Sequence, residues 1–192
     1  SVNSTGFFNV VESNGSLNSN MNSTNRGAVS PSGDIAMMHD WESTDPMVSI
    51  FVKKPTNASV ATLNGTYRFY EFQDSVNSSF GPTRISRIVV SSITFKGNGT
   101  FSNFNVIYND GTWSPQSTGN YTVSADGQVA VGGTPGSNEF MQVSADGNVV
   151  VFVQHNANDF CGFAVGIKQD SSLTTADMNG NWVYACVSAG PG

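Results

Sequence analysis

Residues 143–149 read VSADGNV, which places an Asp-Gly dipeptide between runs of β-branched residues. Asp-Gly supplies the positive φ that tight hairpin turns require. A near copy, VSADGQV, occupies residues 123–129, and further Asn-Gly and Asp-Gly dipeptides occur at residues 98–99 and 110–111. The sequence therefore predicts a series of antiparallel hairpins.

The segments between these turns are apolar runs of strand length, and several alternate apolar and polar residues, a period typical of β-strands. They predict eight strands, at residues 67–72, 85–95, 101–108, 120–124, 128–132, 140–144, 149–154 and 160–168. Strands joined in chain order form a meander, which closes into an up-and-down barrel or folds into a sandwich because closure removes exposed edges. We expect an all-β fold of one of these two kinds.

The amino-acid composition agrees with this fold class. Ser, Thr and Asn together number 62 of 192 residues, whereas charged residues make up only 11%. Long exposed helices depend on Glu, Lys, Arg and Ala, so such a composition disfavours them. Abundant Val, Ile, Phe, Thr and Tyr favour strands instead.

The charge argues against nucleic acid as a partner, and the hydropathy argues against a helix that spans a membrane. The net charge is −6, and only eight Lys and Arg are spread over the chain, so no basic stripe could neutralise several nucleic-acid phosphates. No apolar run is long enough to cross a membrane as a helix. The sequence begins at Ser1 without an apolar leader, and we expect either a removed signal peptide or a fragment of a longer protein.

Longer similarities indicate an internal repeat of about 114 residues. VSPSGDI at residues 29–35 matches VSADGNV at 143–149, and LNGTY at 63–67 matches MNGNW at 178–182. In this interpretation, residues 1–62 are part of one repeat, residues 63–177 form a complete repeat and residues 178–192 begin another. We therefore expect tandem repeats, each folded as a barrel or a sandwich.

The repeat phase leads to a prediction of two structural units. The first, residues 1–116, would combine the partial repeat with the first strands of the complete one. The second, residues 117–192, would be an incomplete β unit. Residues 179–182, NGNW, resemble the Gly-x-Trp first strand of lipocalin-like barrels, and this resemblance implies a barrel without identifying a ligand site.

Two cysteines, Cys161 and Cys186, are predicted to form a disulfide. A bond closing a loop of this length would stabilise the fold by about 3 kcal/mol through the chain entropy of the unfolded state. Low charge and high Ser, Thr and Asn content suggest a secreted protein, where disulfides persist. The alternative is a pair of buried free thiols.

Eight Asn-x-Ser/Thr sequons support the same compartment. Their number is modestly above that expected from the Asn, Ser and Thr content alone. The possible N-glycosylation sites are Asn3, Asn14, Asn22, Asn57, Asn64, Asn77, Asn98 and Asn120.

No catalytic, cofactor or metal motif stands out in the sequence. There is no Gly-x-Ser-x-Gly elbow, phosphate-binding loop, calcium loop or Cys/His nucleophile arrangement, and His39 and His155 lack ligand-like spacing. We expect no enzyme activity, no cofactor and no metal site. Trp41 and Trp113 stand in polar surroundings and could stack on sugar rings; the alternative is that they cap the mouth of a barrel.

These features favour a secreted or cell-surface structural or adhesive β-repeat protein. Its partners would be further copies of itself, other surface proteins or glycans, and strand addition from head to tail could build an extracellular fibre. The alternative is a β-barrel module that binds a small ligand or a glycan.

Overall fold

A computed structural model describes residues 7–8, 26–30, 32–40, 47–75, 86–108, 113–132, 139–155 and 160–179. In these ranges the chain forms twelve β-strands and two short 3-10 helices, with no α-helix. The prediction of an all-β, antiparallel fold is confirmed.

The strands belong to two groups separated by η1, the first 3-10 helix (Val60–Thr62). The first group is β1 (Phe7–Phe8), β2 (Arg26–Val29), β3 (Ile35–Asp40) and β4 (Met47–Val52). The second group is β5 (Asn64–Ser75), β6 (Ser86–Lys96), β7 (Thr100–Tyr108), β8 (Trp113–Val123), β9 (Val129–Val131), β10 (Glu139–Val143), β11 (Val149–His155) and β12 (Phe160–Lys168). The second 3-10 helix, η2 (Thr175–Met178), follows them.

The second group forms an eight-stranded antiparallel sheet that nearly closes into a barrel. Its spatial order is β10-β11-β12-β5-β6-β7-β8-β9, so the first and last strands of the group lie side by side. They pair along their length, from Lys168 opposite Tyr67 to Phe160 opposite Ser75. Of the two predicted alternatives, the structure therefore has the barrel-like one.

The nearly closed seam lies between β9 and β10, which are neighbours in sequence. An isolated bridge joins Gln128 to Gln142 there, and the Val143 N–H donates to the Gly127 carbonyl at 3.0 Å. Met141 of β10 and Val129 of β9 line a small space of about 20 Å³ beside this seam. The barrel is therefore sealed by backbone bonds at one end of the seam.

The four remaining strands form a separate antiparallel sheet in the order β1-β2-β3-β4. The eight barrel strands all lie inside residues 63–177, the predicted complete repeat. The boundary predicted between residues 116 and 117 falls within β8 (Trp113–Val123), which belongs to the barrel. Tandem repetition itself stays a prediction.

Aromatic side chains fill the described interior of the barrel. The Phe95 ring makes edge-to-face contacts with Tyr67, Phe101 and Tyr121, at centroid distances of 5.5, 6.4 and 4.9 Å. Leu63, Val143 and Val150 are fully buried around them. The Tyr121 hydroxyl donates to the carbonyls of Val60 and Leu63, both at 2.8 Å, so the chain entering β5 is held against the end of the barrel.

Candidate assembly surface

Strand β4 lies at one edge of the four-stranded sheet. In the part of the chain that the structure describes, β4 pairs with β3 and with no other strand. The Lys53 N–H donates to the Asp34 carbonyl at 2.8 Å, and hydrogen-bonding residues alternate along an antiparallel strand. The backbone N–H and C=O groups of Val48, Ile50 and Val52 therefore point away from β3.

The turns that lead into β3 and β11 are built alike. In each, a serine N–H donates to the carbonyl five residues later, the serine Oγ accepts from that residue's N–H, and a glycine N–H donates to the serine carbonyl. The residues are Ser30, Gly33 and Ile35 in the first turn and Ser144, Gly147 and Val149 in the second. The donor–acceptor distances lie between 2.8 and 3.1 Å.

The strands that follow the two turns also correspond. Ile35 pairs with Val52 on β4, as Val149 pairs with Ile167 on β12. Next to each pair, a lysine N–H donates at 2.8 Å to the carbonyl of the residue that precedes the partner strand. Lys53 donates to Asp34, just before β3, and Lys168 donates to Asn148, just before β11. Strand β4 is therefore the geometric counterpart of β12, whose other edge binds β5.

Residues 53–62 tie the four-stranded sheet to one end of the barrel. The Ala145 N–H donates to the Lys53 carbonyl at 3.0 Å, and the Ala58 N–H donates to the Ala125 carbonyl at 2.9 Å. An ion pair between Lys54 Nζ and Asp126 Oδ2, 2.7 Å apart, lies between these contacts. Three connections over so short a segment hold the two sheets together at this end.

The electrostatics of this junction follow from its hydrogen bonds. The Lys54 ammonium and then the Ser124 hydroxyl lower the pKa of Asp126 to about 2. Burial alone would raise the pKa of Asp146, but hydrogen bonds from Ser144 and Asn148 outweigh it and lower that pKa below its ordinary value. Both carboxylates are therefore turn-stabilising acceptors, which is a common role of Asp in hairpin turns.

The outer surface of the barrel carries two neighbouring rows of apolar side chains. Cross-strand pairing places Phe140, Val153, Phe163, Phe72 and Ile88 in one row and Val165, Tyr70, Val90 and Ile107 in the next. Tyr70, Ile88 and Ile107 are about half exposed, at 52, 53 and 49%. We call these nine residues the outer apolar band.

Such a band is unusual on the outside of a barrel whose interior is also apolar. Contiguous exposed apolar patches on soluble proteins commonly mark interaction sites. The band crosses six strands, from β10 to β7, so it covers a broad face of the barrel. Sequence patterning does not reveal the band, because its residues lie on six separate strands and align only through cross-strand pairing.

The predicted site residues lie partly outside the described residues. Cys161 lies on β12 and is half-buried, whereas Cys186 lies outside the described residues, so their disulfide stays a prediction. Trp113 begins β8, opposite Ile107, and Trp41 lies outside the described ranges. Sugar stacking by these two residues is therefore untested.

The predicted sequons divide equally between described and undescribed parts of the chain. Asn57, Asn64, Asn98 and Asn120 are exposed. Asn98 also accepts hydrogen bonds from the backbone N–H and hydroxyl of Thr100, at 3.0 and 2.7 Å. Asn3, Asn14, Asn22 and Asn77 lie outside the described residues. Glycosylation at all eight sites stays a prediction.

The described residues contain no group of three or more His, Cys, Asp and Glu side chains arranged to hold a metal ion. They also contain no helix with the length and apolar character needed to cross a membrane. No family model and no curated protein matches this sequence.

Proposed function

We propose that this is a secreted or cell-surface structural or adhesive protein whose copies assemble from head to tail by strand addition. The observation that carries the proposal is the β4 edge, where Val48, Ile50 and Val52 present backbone groups away from β3. Within the described ranges no second strand pairs with this edge, and an unpaired strand edge is a template for pairing with another chain. Because β4 corresponds to β12, the pairing it offers is one that the barrel already uses.

The outer apolar band supports the same function by a second route. Strand addition brings neighbouring barrels close, and exposed apolar side chains then lose contact with water, at about 25 cal/mol per Å² buried. In a single copy, several side chains of the band stay in contact with water. In an assembly it would stabilise contacts between copies or with another surface protein.

The alternative, a barrel that binds a small ligand inside, has less support. Phe95, Tyr67 and Tyr121 occupy the described interior, and the space beside the β9–β10 seam is about 20 Å³, roughly the size of one water molecule. Ligand pockets in proteins are usually several hundred cubic ångströms. A glycan-binding surface remains the second candidate function through Trp41 and Trp113.

Negative-stain electron microscopy of the untreated native protein tests the assembly proposal, together with sedimentation velocity over a range of concentrations. We expect filaments with a regular axial repeat and a sedimentation coefficient that rises with concentration. A monomer at every concentration and pH would overturn the proposal. A glycan array would then be the next measurement.

A further inference from the structure

We propose that Asn98 is a self-modification site, at which the backbone nitrogen of Gly99 displaces the side-chain amide as ammonia. The products are aspartate and isoaspartate at position 98. The turn between β6 and β7 carries the proposal: residues 97–99 read Gly-Asn-Gly and lead directly into Thr100, the first residue of β7. This inference is independent of the assembly proposed above.

The reaction is an internal substitution at the side-chain carbonyl of Asn98. The Gly99 nitrogen loses its proton to water and bonds to Asn98 Cγ, which places a negative charge on Oδ1. The Cγ–Nδ2 bond then breaks, and Nδ2 takes up a proton and leaves as ammonia. Water opens the resulting succinimide at either of its two carbonyls, giving aspartate or isoaspartate. The net reaction consumes water and requires no oxidant or reductant.

Two hydrogen-bond donors already contact the oxygen on which this charge develops. Asn98 Oδ1 accepts from the Thr100 backbone N–H at 3.0 Å and from the Thr100 hydroxyl at 2.7 Å. Donors at such distances stabilise the oxyanion of an acyl substitution, and removing one of them from an enzyme slows the reaction by about 10²–10³-fold. Thr100 therefore lies where it can stabilise the intermediate formed on its own chain.

The Gly99 nitrogen is open to attack on the Asn98 side chain. Glycine has no Cβ to crowd its nitrogen. The Gly99 carbonyl accepts from the Tyr121 N–H at 2.8 Å, which fixes the position of this glycine. Burial raises the pKa of Tyr121, and the neighbouring Gly99 N–H partly offsets that rise. This N–H forms no hydrogen bond of normal geometry with any residue that the structure describes, so ring closure does not have to break one.

The two Asp-Gly turns of the barrel show the opposite arrangement. The Gly127 N–H donates to the Ser124 carbonyl at 2.8 Å, and the Gly147 N–H donates to the Ser144 carbonyl at 3.0 Å. Both glycines are buried. Ring closure at either turn would break a buried hydrogen bond, which is unfavourable. Of these three hairpin turns, the one at Gly99 is therefore best arranged for the reaction.

The same tripeptide, Asn-Gly-Thr, also occurs at residues 64–66 and provides an internal control. Asn64 pairs with Lys96, so its backbone is held in the β5–β6 ladder. The Thr66 hydroxyl shares a hydrogen bond with the Thr94 hydroxyl at 2.9 Å, and no donor in the described residues contacts the Asn64 side-chain oxygen. Because the neighbouring residues are identical, a difference in rate between the two asparagines measures the effect of the fold.

The two products should affect the barrel differently. Aspartate at position 98 keeps an oxygen that can accept from Thr100. Isoaspartate lengthens the backbone by a carbon atom, which displaces Gly99 from the Tyr121 N–H. We therefore expect the isoaspartate form, separated by chromatography, to unfold at a lower temperature than the aspartate form.

Peptide mapping by mass spectrometry tests the proposal on the full-length chain, incubated at neutral pH and physiological temperature. The protein is produced in a host that does not glycosylate it, because a glycan on Asn98 would block the reaction. We expect Asn98 to convert about tenfold faster than Asn64 in the folded protein. In urea, where the fold is lost, the two rates should become equal.

Thr100→Val removes the hydroxyl donor but keeps the branched shape and the backbone N–H. It should slow conversion of Asn98 by about tenfold, less than in an enzyme because this turn is exposed to water. Thr100→Ser retains a hydroxyl and should restore the rate. The matched control is Thr66→Val, which should leave the rate at Asn98 unchanged because the Thr66 hydroxyl contacts Thr94. Circular dichroism checks that each variant is folded.

The opposite results would overturn the proposal. Conversion of Asn98 in the folded protein at the rate of Asn64, or more slowly, would show that the turn does not promote the reaction. An unchanged rate in Thr100→Val would remove the role assigned to the hydroxyl. Neither result bears on the proposed assembly, which electron microscopy and sedimentation test separately.

Discussion

The hydroxyl of Tyr67 on β5 donates a hydrogen bond to the backbone carbonyl of Gly147, which lies 80 positions later in the turn between β10 and β11. Both residues are buried. Burial, followed by the nearby Tyr121 and Asp146, raises the pKa of Tyr67 well above its usual range, so the phenol keeps its proton. This hydrogen bond therefore joins β5, the first barrel strand, to the turn between β10 and β11.

Replacing Tyr67 by phenylalanine should destabilise the barrel. The substitution removes the donor and leaves the buried Gly147 carbonyl without it, which costs about 1–3 kcal/mol. Urea denaturation followed by circular dichroism measures the change. Tyr70→Phe is the matched control, because Tyr70 is 52% exposed and its substitution should change the free energy of unfolding by less than about 0.5 kcal/mol. Equal midpoints for the two variants would contradict this role for the hydroxyl.

Gly147 is also expected to resist substitution by alanine. Its φ is 73°, and an added Cβ would lie 2.6 Å from the Thr62 carbonyl oxygen. Gly132, at the end of β9, has a φ of 77° with nothing within 4 Å of such a Cβ. Each alanine substitution puts a residue with a Cβ into the left-handed region, which destabilises the fold by about 1–2 kcal/mol. Gly147→Ala also creates a backbone clash, which destabilises it by about a further 1–3 kcal/mol. Thermal denaturation should therefore separate them, with Gly147→Ala the less stable.

The Lys54–Asp126 pair should make stability depend on acidity. The pKa of Asp126 is lowered to about 2 from an ordinary value of 3.8. The charged carboxylate therefore stabilises the folded protein above about pH 4, and this stabilisation is lost as the pH falls towards 2. Lys54→Met should raise the pKa of Asp126 towards its ordinary value, as followed by NMR titration of the carboxyl carbon. Lys53→Met is the control, since Lys53 faces Asp34 at 3.6 Å and should leave Asp126 unchanged.

Charges placed in the outer apolar band should weaken assembly without unfolding the barrel. Ile88 and Ile107 are exposed, so the double variant Ile88→Lys/Ile107→Lys should lose little stability. It should raise the concentration at which copies associate by about tenfold or more, because burying an unpaired charge is costly. Sedimentation velocity provides the measurement, and Thr118→Lys, also at an exposed position of the barrel, provides the control. An unchanged association would show that the band lies outside the contact.

Turn chemistry explains why much of the barrel could be predicted from sequence. Asp126-Gly127, Asp146-Gly147 and Asn98-Gly99 all lie at hairpin turns, and all three glycines have the positive φ that glycine adopts at low cost. The eight predicted strands accordingly overlap β5 to β12. The predicted strand began only at residue 120, so it left out the first part of β8. Residues 113–116, WSPQ, do not alternate apolar and polar side chains, and proline is rare inside strands.

Pairing between distant strands could not be predicted in the same way. The β12–β5 closure depends on small residues facing large ones: a Cβ on Gly166 would lie 2.4 Å from the Phe69 ring. No local pattern marks that relationship, since the two residues become neighbours only when the barrel closes. The outer apolar band and the β4 edge arise from pairing too, which is why the candidate site emerged only from the structure.

The closure of the barrel by its first and last strands also bears on how the protein is made. Ribosomes add roughly 5–20 residues per second, and β12 follows β5 by about 90 residues, so β5 waits for its second neighbour for roughly 5–20 seconds. During that time its edge could pair with another nascent chain. Arg68 on β5 is exposed and carries a charge of the kind that discourages such pairing. The order of the strands therefore places Arg68 on the barrel strand whose second edge waits longest for its partner during synthesis.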